Sequence, residues 1–330
     1  VIHVLCHNFF VFEPKVAIVA QNHYPPSSPS STGAQPLTFG IVVAALGRHF
    51  EVRTANCILR CHTRGKKNDY ACGDEVGIAP AGDGLGVIEI RYPRRNLLWR
   101  SDAFRQKLLA ANLSRIVIVT ATEPGFSDLL VSRCLAAAES ENIPALIVLN
   151  KADLTANLAV ARERLAVFAT LGYPVIELSA LHGTDTLEPW LRDERVLLVG
   201  QSGMGKSTLI NALVPEAAAT VNEISIALNS GTHTTTLARL YQRGEGWLID
   251  SPGLQAFGLA HLDPIALESA FIEFRPYLGQ CRFRDCRHDA EPGCALRAAV
   301  EAGTLSVLRL EHYLLIRDEI VAAHRANLGR

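Results

Sequence analysis

The chain has 330 residues, 48% of them hydrophobic and 20% charged, with a formal net charge of −1. That is globular composition with room for two or three domains. The near-zero charge excludes a whole-molecule polyanion binder but leaves room for local basic patches. No stretch reaches the ~20 apolar residues a bilayer-spanning helix needs, and the eight cysteines are those of a reduced, cytoplasmic protein in which one cluster binds metal.

The N-terminal run VIHVLCHNFFVFEPKVAIVA is apolar but interrupted by His3, His7, Asn8, Glu13 and Lys15. It lacks the basic start and small-residue cleavage site of a signal peptide. The sequence opens at Val1 and its only methionine is Met204, which leaves a GTG start, a fragment and an over-extended translation all open. PPSSPSSTGAQP over residues 25–36 reads as a linker, so 1–35 is taken as a tail. From 36 to 100, short alternating runs are punctuated by glycines at 40, 47, 65, 73, 82, 84 and 86. This pattern predicts a small β-barrel, an OB-fold in the first instance and another five-stranded or SH3-like barrel in the second. Cys57, Cys61 and Cys72 fall in this region with no fourth ligand and are expected to be plain thiols.

From about residue 104, continuous apolar runs at 116–121, 144–150, 174–180, 195–200 and 246–250 alternate with helical stretches. Runs of that kind mark a parallel sheet covered on both faces, and 101–274 is taken as one α/β domain. The second run ends in Asn150, Lys151, Ala152 and Asp153, and the third in Ser179 and Ala180. A carboxylate at Asp153 matches the N1–H and N2–H₂ donors of guanine. Adenine has neither donor and would leave it desolvated and unpaired. Asn150 would contact the base edge and brace the loop, the Lys151 stem would cover one face of the base, and the Ser179–Ala180 backbone would read O6.

The fourth run leads into Gly200, Gln201, Ser202, Gly203, Met204, Gly205, Lys206 and Ser207, then Thr208 and a helix. This is G-x-x-x-x-G-K-[ST] between strand and helix, a loop whose N–H groups and helix N-terminus cradle phosphates. Lys206 would neutralise the β- and γ-phosphates, and Ser207 would ligate magnesium. The polar stretch Gly231, Thr232, His233, Thr234, Thr235, Thr236 reads as a switch loop, with Thr234 or Thr235 as a second magnesium ligand. Asp250, Ser251, Pro252 and Gly253 close the last run. Asp250 is then a magnesium-side carboxylate and the Gly253 N–H faces the γ-phosphate. The base-reading loops precede the phosphate loop, the reverse of the usual G-protein order. The domain is therefore expected to be a circularly permuted GTPase, whose second switch leads directly into the C-terminal region.

That region, 275–330, carries Cys281-x4-Cys286-x-His288-x5-Cys294. Three thiolates and an imidazole form a closed tetrahedral set, the ligand chemistry of one structural zinc.

With the barrel, NKAD, SA, GQSGMGKST, GTHTTT, DSPG and CRFRDCRHDAEPGC in this order, residues 36–325 strongly resemble the RsgA/YjeQ family of small-subunit-dependent, permuted GTPases. The resemblance implies an OB-fold, a permuted G domain and a helical zinc domain. It also implies late maturation of the small (30S) ribosomal subunit, with contacts to its rRNA, GTP turnover to GDP and phosphate, and no membrane. Arg48, Arg53, Arg60, Arg64, Lys66 and Lys67 in the barrel would carry the RNA-facing charge. Arg275, Arg282, Arg284, Arg287 and Arg297 would do so around the zinc. A monomer is the default. A GTP-switched rRNA checkpoint in which hydrolysis is only a timer, and a permuted GTPase of the large subunit, are the competing expectations. Leu254 occupies the position after D-x-x-G where many G proteins place a water-orienting glutamine. His233, beside the switch threonines, is therefore the candidate to orient water. The family resemblance supports that role.

Overall fold

The computed structural model describes residues 36–65, 69–101, 106–217, 238–251 and 258–328. Five strands come first: β1 (Thr38–Leu46), β2 (His49–Arg53), β3 (Ile58–Thr63), β4 (Glu75–Gly82) and β5 (Leu85–Arg91). They pair in the closed order β1-β2-β3-β5-β4-β1, antiparallel everywhere except between β3 and β5. The order and closure are those of a five-stranded OB barrel. Alternate residues point inward, so Val42, Phe50, Val52, Cys61, Val76, Ile78 and Ile88 fill the interior. Cys61 and Cys72 are buried and Cys57 is exposed, and none of the three is in a disulfide. Lys66 and Lys67 lie outside the described residues.

A hairpin of β6 (Leu97–Ser101) and β7 (Gln106–Ala111) leads out of the barrel. Beyond it, β8 (Arg115–Ala121), β9 (Ala145–Asn150), β10 (Val175–Glu177), β11 (Arg195–Val199), β12 (Arg239–Arg243) and β13 (Gly246–Asp250) form a sheet in the order β10-β9-β8-β11-β13-β12. All neighbours are parallel except β12 and β13. Every residue of β9 is buried, as in a sheet covered on both faces. The covering helices are α1 (Asp128–Ser140), α2 (Leu158–Ala169), α3 (Glu188–Leu191) and α4 (Lys206–Leu213). Ser127 starts α1 by accepting the Leu130 N–H at 3.2 Å.

The barrel and this sheet are joined edge to edge. β1 pairs with β12 through Ala44 and Arg239, and Arg239 reaches Glu51 of β2 at 2.8 Å. A second tie centres on Gly73. Its carbonyl accepts from Asn112 Nδ2 at 3.0 Å and from Arg195 Nη1 at 2.8 Å, and its N–H donates to Val42. Its φ is +92°, and a Cβ there would lie 2.3 Å from the Ala111 carbonyl oxygen.

The C-terminal region consists of α5 (Pro264–Ala270), a 3₁₀ turn over Ile272–Tyr277, α6 (Ala295–Glu301) and α7 (Val307–Leu328). Asp263 caps α5 and Pro264 opens it. α1 packs against α5 and α7. The joint there is polar and largely buried. Arg309, 0% exposed, donates to Glu273 Oε1 at 2.5 Å and to Ser132 Oγ of α1 at 2.7 Å. Its guanidinium also lies 4.3 Å from the Phe271 ring centroid. Ser132 Oγ in turn lies 2.8 Å from His312 Nδ1. Burial, reinforced by the Arg309 charge, pushes the His312 pKa down to about 4, so the imidazole is neutral. Among the described residues no helix is long and apolar enough to cross a membrane.

Because Gly73 combines a left-handed φ with backbone contact, Gly73→Ala should cost about 2 kcal/mol or more. Thermal unfolding should show a Tm several degrees lower, and an unchanged Tm would contradict this reading of the joint.

Candidate nucleotide site and metal centre

Four sequence motifs sit at the carboxyl ends of parallel strands of one sheet, where open α/β sheets bind ligands. The 200–207 loop follows β11, at the middle of the sheet. The 150–153 turn follows β9 on one side, with Ser179 and Ala180 beyond β10. Asp250 ends β13 on the other side. The permuted order of the motifs thus folds into one contiguous edge.

Asn150 ties three of these loops together. It is 1% exposed. Its Nδ2 donates to the Met204 carbonyl of the glycine-rich loop at 2.9 Å, and its Oδ1 accepts the Ala180 N–H at 3.0 Å. The approach is so close that a Cβ on Gly205 would lie 2.4 Å from Asn150 Nδ2. Gly200 is under the same constraint: its φ is +149°, and a Cβ there would lie 2.2 Å from the Val119 carbonyl oxygen.

Lys206 opens α4 and is buried. Its Nζ donates to the carbonyls of Gly200 and Gln201 at 2.6 and 2.8 Å, which holds the ammonium against the loop. Burial lowers its pKa, and the Asp250 carboxylate works the other way. Burial raises the Asp250 pKa, and Lys206 opposes that rise. The two charges therefore support each other across the end of β13. Ser202, Ser207 and Thr208 are exposed on the same surface, so the Ser207 hydroxyl and the Asp250 carboxyl supply oxygen donors of the kind magnesium takes.

Asp153 is exposed, and the Ser179 hydroxyl holds its carboxyl below the usual range, helped by His182 and Lys151. An ionised acceptor thus stands beside the Ser179–Ala180 turn. Lys151 has φ +58°, and its Nζ donates to the Glu123 carbonyl at 2.7 Å. The Thr122 hydroxyl donates to the Lys151 carbonyl at 2.8 Å. Sequence reasoning did not single out Thr122, Glu123 or Ser127, whose N–H donates to Gln201 Oε1 at 3.1 Å. Their one signal was position, directly after the apolar strand β8. The expected switch residues His233, Thr234 and Thr235, together with Gly253 and Leu254, lie outside the described residues.

The four predicted metal-site residues also come together. One ligand atom from each of Cys281, Cys286, His288 and Cys294 lies within 4.8 Å of the others. His288 Nδ1 faces the sulfurs, 3.5 Å from Cys281 and 3.3 Å from Cys294. Its Nε2 is 2.9 Å from Glu268 Oε1, a carboxylate that fixes the ring and presents Nδ1 as the ligand atom. Glu291 accepts the N–H groups of Arg287 and Asp289 at 3.1 and 3.0 Å and fixes the turn. Soft donors in a closed group suggest a zinc site.

The comparisons agree with this layout. The sequence model of the RsgA GTPase family matches residues 91–260. The small ribosomal subunit biogenesis GTPase RsgA of Nitrosospira multiformis is 49% identical over 290 residues, covering 87% of this chain and 92% of its own length. Its counterpart in Nitrosomonas europaea is 52% identical over 280 residues, covering 83% and 89%. Among solved structures, YjeQ from Thermotoga maritima superposes with a TM-score of 0.66 at 29% identity, covering 86% of this chain and 98% of that one. YloQ, a circularly permuted GTPase, gives a TM-score of 0.64 at 25% identity, covering 89% and 98%. The similarity thus runs over most of the length of each chain, and this chain belongs to the RsgA family of GTPases.

Proposed function

We propose that the protein binds the small (30S) ribosomal subunit and its rRNA in the cytoplasm, acts late in the subunit's maturation, and hydrolyses GTP to drive its own release. The observation that carries the partner is the near full-length similarity to relatives named small ribosomal subunit biogenesis GTPases. As a working division, 1–35 is a tail, 36–100 the barrel, 101–274 the G domain and 275–330 the zinc-binding region, in a monomer.

In this reading the N–H groups of 200–208 and Lys206 hold the phosphates, with the Gly253 N–H facing the γ-phosphate. Asp153 pairs with guanine N1–H and N2–H₂, Lys151 covers one face of the base, and the N–H groups at Ser179 and Ala180 meet O6. Asn150 keeps base and phosphate loops in register. A magnesium ion held by Ser207 and Thr234 or Thr235, with Asp250 behind, would neutralise charge on the phosphates. Leu254 cannot orient the attacking water, so His233 accepts a hydrogen bond from it and sets it in line with the γ-phosphate.

Asp153→Asn should weaken GTP binding about 100-fold or more and admit xanthosine triphosphate, whose donor and acceptor at that edge are reversed. Competition binding checks this, and equal affinity of the wild type for ATP and GTP would contradict the assignment.

One zinc per chain is expected, held by Cys281, Cys286, His288 and Cys294. Cys281→Ser combined with Cys286→Ser should abolish it and destabilise the C-terminal region. Metal analysis of freshly reduced protein is the check; zinc retained in the double variant would overturn the ligand set.

Turnover should be stimulated by isolated 30S particles and not by 50S particles, and binding should weaken with salt. His233→Ala should keep GTP affinity within a few-fold yet lose most of the 30S-stimulated rate. Single-turnover hydrolysis at saturating 30S decides it. An unchanged rate removes the histidine from the chemistry, and equal stimulation by 50S removes the partner.

A further inference from the structure

The loop between the first two cysteines of the Cys₃His group presents a feature that metal binding does not need. Phe283 is 42% exposed, on a turn whose neighbours are Arg282, Arg284 and Arg287, all exposed. The Arg282 guanidinium lies 5.5 Å from the Phe283 ring centroid. Nearby arginines are committed elsewhere: Arg275 to Glu139, Arg317 to Asp318, and Arg297 to the Asp289 carbonyl. Arg282, Arg284 and Arg287 carry no ion pair among the described residues.

The turn is built so that the ring stays outside. The two limbs are pinned by the Arg282 N–H on the Gly293 carbonyl at 3.0 Å and by the Ala295 N–H on Cys281 Sγ at 3.3 Å. Glu291 holds the far side through Arg287 and Asp289. Phe274 and Tyr313, two core aromatics, are both buried and pack edge to face with ring centroids 5.2 Å apart. Phe283 is not part of that core and leaves part of its ring open to solvent, an apolar face that a flat partner can cover.

We propose that Phe283 is a stacking platform for one unpaired base of RNA, with Arg282, Arg284 and Arg287 gripping the flanking phosphates. A partly exposed ring with one guanidinium 5.5 Å from its centroid, on a turn that carries two further exposed arginines, suits a splayed-out nucleotide, because every base offers a π-face while the backbone supplies negative charge. Duplex RNA, whose bases are stacked inside, offers the phosphates but not the face. The inference rests on the small-subunit reading above and adds to it a stacking residue and the single-stranded character of its target. Hydrolysis does not involve this loop, so Phe283→Ala should leave the intrinsic GTPase rate unchanged.

The test uses the full-length, zinc-loaded protein and isolated 30S subunits. Phe283→Ala should keep its zinc and weaken 30S binding about tenfold. Phe283→Trp should restore the affinity. Arg284→Ala should weaken binding and reduce its salt dependence, whereas Phe283→Ala should leave the salt dependence as it is. A photoreactive phenylalanine analogue at position 283 should crosslink to an unpaired rRNA nucleotide. Unchanged 30S affinity of a zinc-loaded Phe283→Ala protein, or crosslinks to a ribosomal protein or to paired rRNA, would overturn the proposal. Failure of the wild type itself to prefer 30S over 50S would instead sink the small-subunit reading.

Discussion

The amide of Asn150 is buried between two loops that lie 30 and 54 residues further along the chain, and both of its polar atoms are used. An amide carries a donor and an acceptor on one rigid plane, so placing one end fixes the other. Here Nδ2 sets the height of the glycine-rich loop, while Oδ1 sets the Ser179–Ala180 turn. The glycine at 205 exists to let that amide come close, since any side chain there would strike it. In the proposed function, guanine recognition and phosphate binding are then two ends of one device.

The permuted order has a mechanical consequence. The strand that ends at Asp250 is followed in the chain by α5, which begins at Pro264, and then by the Cys₃His group at 281–294. The C-terminal region is tied to α1, because Arg309, Ser132, His312 and Glu273 form a largely buried hydrogen-bonded network there. Networks of this kind hold one geometry, since each lost bond strands a buried polar group. Asp250 at the end of β13 thus lies upstream, in the chain, of a region anchored to the G domain's own helix α1.

Much of this was readable in the residues because local chemistry fixes it. The glycines and lysine of 200–206 admit few other uses between a strand and a helix, and three cysteines with a histidine at short spacing point to one chemistry. The barrel was readable as glycine-punctuated alternation, since inward and outward residues must alternate on a closed sheet. What could not be read depends on partners far apart in the chain. Glu268 behind His288, the Arg309 network and the pairing of β1 with β12 have no local signature. The β6–β7 hairpin straddles residue 100, where composition changes, because the linker is itself a folded element tied to Gly73 and Asn112.

The most direct test of the Asn150 account is nucleotide binding by Asn150→Ala, at a temperature where circular dichroism shows it folded. Two quantities are measured: the preference for GDP over ADP, and the gain in affinity from guanosine to GDP. If one buried amide couples the two halves of the site, both must fall together. A variant that loses its guanine preference but keeps the full phosphate gain, or the reverse, would show the halves to be independent and contradict the account.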